Sequence, residues 1–273
     1  MERNLSKSEC EANFARNYKI IPSGLGATRA SLMRLLRSVD VVGWSSHEES
    51  GRLDRKALAR FATGSTTVFK RRQSAEAERS AVSVLVDCSG SMAFDSGARI
   101  ETAELVAVQL ARLLDSANVS FAVTGFNGTE RIERMHDSGA NAQKGLVTKE
   151  CLNWIPFKEW GESMRKAAPK LGSMKDWVAS STPDFSALAS AIDDVVRQPE
   201  TRKVIFLITD ADTSDKQQMK YLQDSASKQD VTVVVIGIHC DTITEIFDNS
   251  ANVKNINDLA STAFNTLLKT LRR

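Results

Sequence analysis

The chain is expected to fold as an α/β protein with a doubly wound, mostly parallel central sheet flanked by helices. Three observations predict this. Two apolar runs, Val82 to Val86 leading into Asp87 and Lys203 to Asp210, close on an aspartate, and a third, Val231 to Ile238, follows. Segments between them place apolar residues at helical spacing. Apolar runs without polar alternation suit strands buried on both faces, as a parallel sheet between helical layers requires.

Taken in order, Ala27 to Val39 reads as a basic amphipathic helix, Asp54 caps a short helix through Phe61, and Thr63 to Thr67 reads as a linker. The first core strand, at Val82 to Val86, leads into Asp87-Cys88-Ser89-Gly90-Ser91. Ile100 to Leu114 carries one apolar stripe through Ile100, Ala103, Val106, Leu110 and Leu114, which predicts a helix directly after that loop. Val119 to Phe126 is the next strand, with Arg131 to Met135 pairing beside it. Asp184 to Val196 returns to helical spacing and Pro199 stops it. Lys203 to Asp210 is a buried strand, Asp215 to Gln229 a polar helix, Val231 to Ile238 a strand, and Ile256 to Leu271 a closing helix.

Two regions stand outside the alternation. Residues 138–180 hold Trp154, Trp160 and Trp177, two prolines and several glycines without a clear period, and read as an insertion beside the candidate site. The expected organisation is therefore a basic helical region at 1–75, then the α/β domain at 76–273 carrying that insertion.

Composition narrows the function classes. Hydrophobic content of 42% and charged content of 26% are those of an ordinary globular protein. No apolar run approaches the roughly 20 residues of a membrane span, and Met1 to Ser6 lacks a signal-peptide apolar region, so the cytoplasm is the expected location. Cysteines at 10, 88, 151 and 240 form no CxxC pair and are expected to be reduced, with Cys88 a small apolar filler. His47, His136 and His239 are scattered singly. The net charge of +2 hides an asymmetry: residues 1–80 carry 15 Lys+Arg against 9 Asp+Glu, the rest 21 against 25. Lys70-Arg71-Arg72 and the row Arg29, Arg34, Arg37 have no aromatic residues among them, which favours a solvated face or an acidic protein partner over nucleic acid.

The chemistry concentrates at Asp87, Ser89 and Ser91. They leave the first core strand at its carboxyl end, where open α/β sheets place ligand sites. Gly90 allows a tight turn, and oxygen-only donors suit a hard cation such as Mg²⁺. One carboxylate and two alcohols cannot fill an octahedron, so neighbouring strand ends are expected to contribute. Thr209-Asp210-Ala211-Asp212 and Thr182-Pro183-Asp184 both fit that expectation.

In this order the pieces resemble the von Willebrand factor A (VWA) family and its metal-ion-dependent adhesion site (MIDAS). Asp87, Ser89 and Ser91 match its DxSxS, Thr182 its threonine, with Ala187-Leu188 at the family's offset, and Asp210 its last aspartate. Ala211 stands where the family has glycine. The resemblance runs from about residue 78 to the end. It implies a Rossmann-like fold and a divalent ion, Mg²⁺, Mn²⁺ or Ca²⁺, held directly by Ser89, Ser91 and Thr182 and through water by Asp87 and Asp210. It also implies an open position for a partner carboxylate, hence an adaptor rather than a catalyst. Gly51 to Arg60 and Val68 to Arg72 resemble the segment preceding this domain in the T subunit of aerobic cobaltochelatase. That resemblance implies an AAA+ ATPase partner of MoxR or CobS type and a client protein, although the subunit's long acidic region is missing here.

Two rival readings come from other classes. Phe206 to Ser214 superficially matches the DxD loop of haloacid-dehalogenase phosphatases, which would make Asp210 the nucleophile and Asp212 the acid/base. Ser214 departs from that motif, about 60 residues remain for the other catalytic groups, and DxSxS is left unexplained. The other rival is nucleic-acid binding through the basic first 75 residues.

Overall fold

The computed structural model describes residues 5–20, 42–57, 64, 66–74, 79–134, 146–210, 216–240, 243, 247 and 249–253. The helices expected at 27–39 and 256–271 lie outside these residues, as does most of the short helix after Asp54. Two compact units emerge, Met1–Arg37 with Ser80–Arg273, and Ser38–Arg79.

The larger unit is built on a six-stranded sheet in the order β6-β5-β4-β7-β8-β9. The strands are β4 Ser80–Asp87, β5 Ser120–Arg134, β6 Leu146–Lys158, β7 Arg202–Thr209, β8 Val231–Ile238 and β9 Ser250–Val253. Neighbouring strands run parallel except β5 and β6. Its helices among the described residues include α1 Lys7–Lys19, α2 Ala98–Ser116, α3 Met164–Leu171, α4 Asp184–Val196 and α5 Lys216–Ser227. This is the doubly wound α/β fold that the strand and helix alternation predicts.

All eight residues of β4 are buried because both faces of the sheet are covered. Val82, Val84 and Val86 pack on one side with Val106, Leu110 and Leu114 of α2. Ala81 and Leu85 point to the other side, into the cluster that holds Leu188, Ile192 and Val195 of α4 and Met219 of α5. The two-residue period of the strand thus feeds two separate cores.

Four features differ from the sequence expectations. β5 is one strand of 15 residues, where a strand ending at Phe126 and a separate one at 131–135 were expected. Its parallel ladder with β4 ends at Asp87↔Phe126, but β6 pairs with it as far as Arg134↔Leu146 and sustains the extended backbone. The unperiodic insertion supplies that partner. β6 is the sheet edge, and Pro156 sits beside the register shift at Val123/Thr124, where a residue without an N–H is tolerated. Ile155 and Phe157 enter the core, and the Trp160 indole N–H donates to Asp194 Oδ2 at 2.8 Å.

The third difference is α1. Ser6 and Glu9 form a capping box, a start signal visible in the sequence, and the helix belongs to the larger unit rather than with residues 42–74. It packs on α2 and α3. Asn17 Nδ2 donates to Glu104 Oε1 at 2.7 Å, and Arg112 donates to the Tyr18 carbonyl at 2.6 Å. At Gly172 a Cβ would lie 2.0 Å from the Cys10 carbonyl oxygen, so only glycine admits α1 this closely.

The fourth difference lies in the smaller unit, inside the region expected to be helical: β1 Val42–Glu48, β2 Arg52–Leu53 and β3 Phe69–Ser74 form an antiparallel sheet ordered β1-β3-β2. Gly51, at φ +135°, makes the turn, and a Cβ there would meet the Lys70 carbonyl oxygen at 2.7 Å.

Candidate metal centre

The parallel register of β4 and β7, with Val86 opposite Ile208, brings Asp87 and Thr209 side by side at the carboxyl edge, and Asp210 follows directly. Asp87 is completely buried. One of its carboxylate oxygens accepts the Ser89 N–H at 2.8 Å and the other accepts the Thr209 hydroxyl at 2.8 Å. The carboxyl is pushed up to about 7, first by burial and secondarily by the charge of Asp210, against the lowering effect of these hydrogen bonds.

After Asp87 the chain turns into a 3₁₀ segment, Gly90–Ala93, which sets the Ser89 and Ser91 hydroxyls 3.0 Å apart. The loop before α4 is tied to this turn through the backbone. Ala179 N–H donates to the Cys88 carbonyl at 3.0 Å, Gly90 N–H to the Ser180 carbonyl at 2.8 Å, and Gly128 N–H to the Ser181 carbonyl at 2.8 Å. These tethers bring half-buried Thr182 to the same edge. A Cβ on Gly90 would stand 2.9 Å from the Ser180 carbonyl oxygen, so the close approach of the two loops depends on that glycine.

Asp210 has no exposed side-chain surface, and its Oδ2 accepts from Arg99 at 3.0 Å. Arg99 also donates from Nε to Asp95 Oδ2 at 3.2 Å and lies 5.6 Å from the Phe94 ring centre. In the sequence Thr209 appears only as part of the strand end that carries Asp210, and nothing there points to Arg99. The pairing of Asp87 with Thr209 depends on strand register, and that of Arg99 with Asp210 spans 111 residues. Asp212 and Ser214 lie outside the described residues.

Among the described residues no group of three or more His, Cys, Asp or Glu could hold a metal. Any cation here would depend on hydroxyl donors, which suit a hard ion. Cys88 is buried and burial pushes its thiol up, so it acts as packing rather than as a nucleophile. No helix among the described residues is long and apolar enough to cross a membrane.

Similar solved structures include the manganese-loaded TRAP protein of Plasmodium vivax, at 16% identity and TM-score 0.41 over 59% of this chain and 57% of that one. Proximal thread matrix protein 1 from the mussel byssus, with a zinc-occupied MIDAS motif, aligns at 15% identity and TM-score 0.41 over 71% and 44%. The conserved hypothetical protein BatB of Bacteroides thetaiotaomicron aligns at 15% and 0.45 over 71% and 99%. The chain thus spans about half the length of the first two, and likeness at these scores carries no functional weight. No curated protein matches the chain. The family described as "Cobalamin biosynthesis protein CobT VWA domain" matches residues 68–272, most of the sequence, and the chain therefore belongs to that family.

Proposed function

We propose that this protein is a metal-dependent protein-interaction module, an adaptor rather than a catalyst. A hard divalent cation, foremost Mg²⁺, would be held at the carboxyl edge of β4 and β7 by Ser89, Ser91 and Thr182, with Asp87 and Asp210 behind them. The bound ion would offer one open coordination position to a carboxylate of the partner.

The observation that carries this reading is the meeting of buried Asp87 with the Ser89 and Ser91 hydroxyls, 3.0 Å apart, on a loop tied to the one bearing Thr182. The donor set fits a cation. Asp87 is met by two neutral donors, the Ser89 N–H and the Thr209 hydroxyl, while the nearby charge of Asp210 disfavours its ionisation. A divalent ion would relieve that repulsion.

Membership of the CobT family supports an AAA+ ATPase of MoxR or CobS type as the partner, with a client protein, in a cobaltochelatase-like complex. Phe94, Trp177 and Phe185 are 60%, 44% and 37% exposed, and all three lie on the segments that carry or flank the hydroxyl donors. They supply apolar contact area around the proposed metal, of the kind interfaces draw on.

Pull-down of a CobS-type ATPase by the wild type and by the Asp87→Ala, Ser89→Ala double variant tests the reading. Capture should need Mg²⁺ and be lost in EDTA and in the double variant. Trp177→Ser with Phe185→Ser should weaken capture by about tenfold or more, as hot-spot aromatics do. Capture that survives both EDTA and the double variant would refute the proposal.

A further inference from the structure

The geometry points to Arg99 as a built-in cation that competes with a divalent ion for Asp210 and thereby sets the affinity of the edge for metal. The inference rests on the metal reading above and adds a residue of this chain that tunes it.

Arg99 is the second residue of α2, close to the positive end of the helix dipole, where a cation is disfavoured. The N-cap, Gly97, offers no side chain to the helix end. Helix stability therefore does not account for a guanidinium at this place, whereas the carboxylates around it do. Arg99 spans two of them, Asp210 Oδ2 at 3.0 Å and Asp95 Oδ2 at 3.2 Å. Asp210 has no exposed side-chain surface, and Arg99 meets it there as an opposite charge.

The loop that presents Arg99 is built at a conformational cost. Asp95, Ser96 and Gly97 have φ of +56°, +59° and +83°, three successive left-handed residues of which only one is glycine. The ion pairs to Asp95 and Asp210 hold that segment against the edge.

A docked guanidinium and a divalent ion on the same edge repel each other, and both draw on the Asp210 carboxylate. The Asp95 side chain is 56% exposed and already holds Nε, so Arg99 has a second resting place when it yields Asp210 to a metal. Removing the charge takes away the competing cation that Arg99 places against Asp210.

The test is isothermal titration of the full chain with MnCl₂ and with MgCl₂ at low ionic strength. Arg99→Gln should bind both ions about tenfold or more tighter than wild type, since a like charge beside the site is gone. Arg99→Lys, which keeps the charge but cannot span two carboxylates, should tighten binding by less. It carries the test if circular dichroism shows Arg99→Gln unfolded. Affinities in Arg99→Gln, or failing it Arg99→Lys, equal to or weaker than wild type overturn the inference while leaving the metal site standing, provided that Asp87→Ala with Ser89→Ala abolishes uptake. If wild type and variants alike take up neither ion, or the double variant binds as wild type does, the metal reading itself falls and this inference with it.

Discussion

Replacing Asp87 by Asn should stabilise the metal-free protein, and increasingly so as pH rises. The folded carboxyl titrates near 7 instead of its ordinary 3.8, chiefly because it is completely buried. A raised carboxyl binds its proton more tightly in the folded than in the unfolded chain, so folding stability falls as pH rises between the two values and is level above the higher one. A gap of about 3 units at about 1.4 kcal/mol per unit sets an upper bound of about 4 kcal/mol. Asn can keep both contacts, accepting from the Ser89 N–H and donating to the Thr209 hydroxyl. With partial relaxation of the site, Asp87→Asn should gain about 2–4 kcal/mol at pH 8 in EDTA, a rise in Tm of roughly 4–8 °C for a chain of this size. At pH 5 the advantage should shrink to about a third of that, because only the lower part of the interval between 3.8 and about 7 has then been crossed. Differential scanning fluorimetry from pH 5 to 8, with and without MgCl₂, reads both effects. Wild type should gain from Mg²⁺ above pH 7, and the variant should not. Glu104 is also raised to about 7 by burial, and its contribution cancels because both proteins carry it. A variant that is destabilised equally at pH 5 and pH 8 would refute the reasoning.

Two further outcomes follow from the packing. Gly90→Ala pushes a Cβ to 2.9 Å from the Ser180 carbonyl oxygen, and overpacking of this kind costs about 1–3 kcal/mol. It should weaken Mg²⁺ binding in calorimetry more than Ala98→Gly does, because it parts the Thr182 loop from the serine turn. Asn17→Ala removes the hydrogen bond to buried Glu104 and should cost about 1–3 kcal/mol in urea denaturation. The loss should be larger at pH 8 than at pH 6, since that bond favours the ionised Glu104, which exists above about 7.

Much of the architecture is legible because buried parallel strands write themselves as uninterrupted apolar runs. β4, β7 and β8 stand where Val82 to Val86, Lys203 to Asp210 and Val231 to Ile238 predict them, and α2 and α4 where the 3.6-residue period does. The edge strand β6 was not legible. With Lys149, Glu150, Asn153 and Pro156 among its residues it has no sustained apolar run, and an edge strand needs none. α1 announces itself only by Ser6 and Glu9, since its own sequence is mostly polar.

At the edge of the sheet the sequence by itself determined which oxygen-bearing residues the chain offers: Asp87, Ser89, Ser91, Thr182 and Asp210 stand in their motif order whatever the fold does. Only the tertiary structure decided what those groups meet. Thr209 reaches Asp87 because β4 and β7 pair in one register, and Arg99 reaches Asp210 because the loop after Ala93 turns left-handed three times before α2 begins. Hydrogen bonds and ion pairs across more than a hundred residues depend on distance in space, which a local pattern of residue types does not encode.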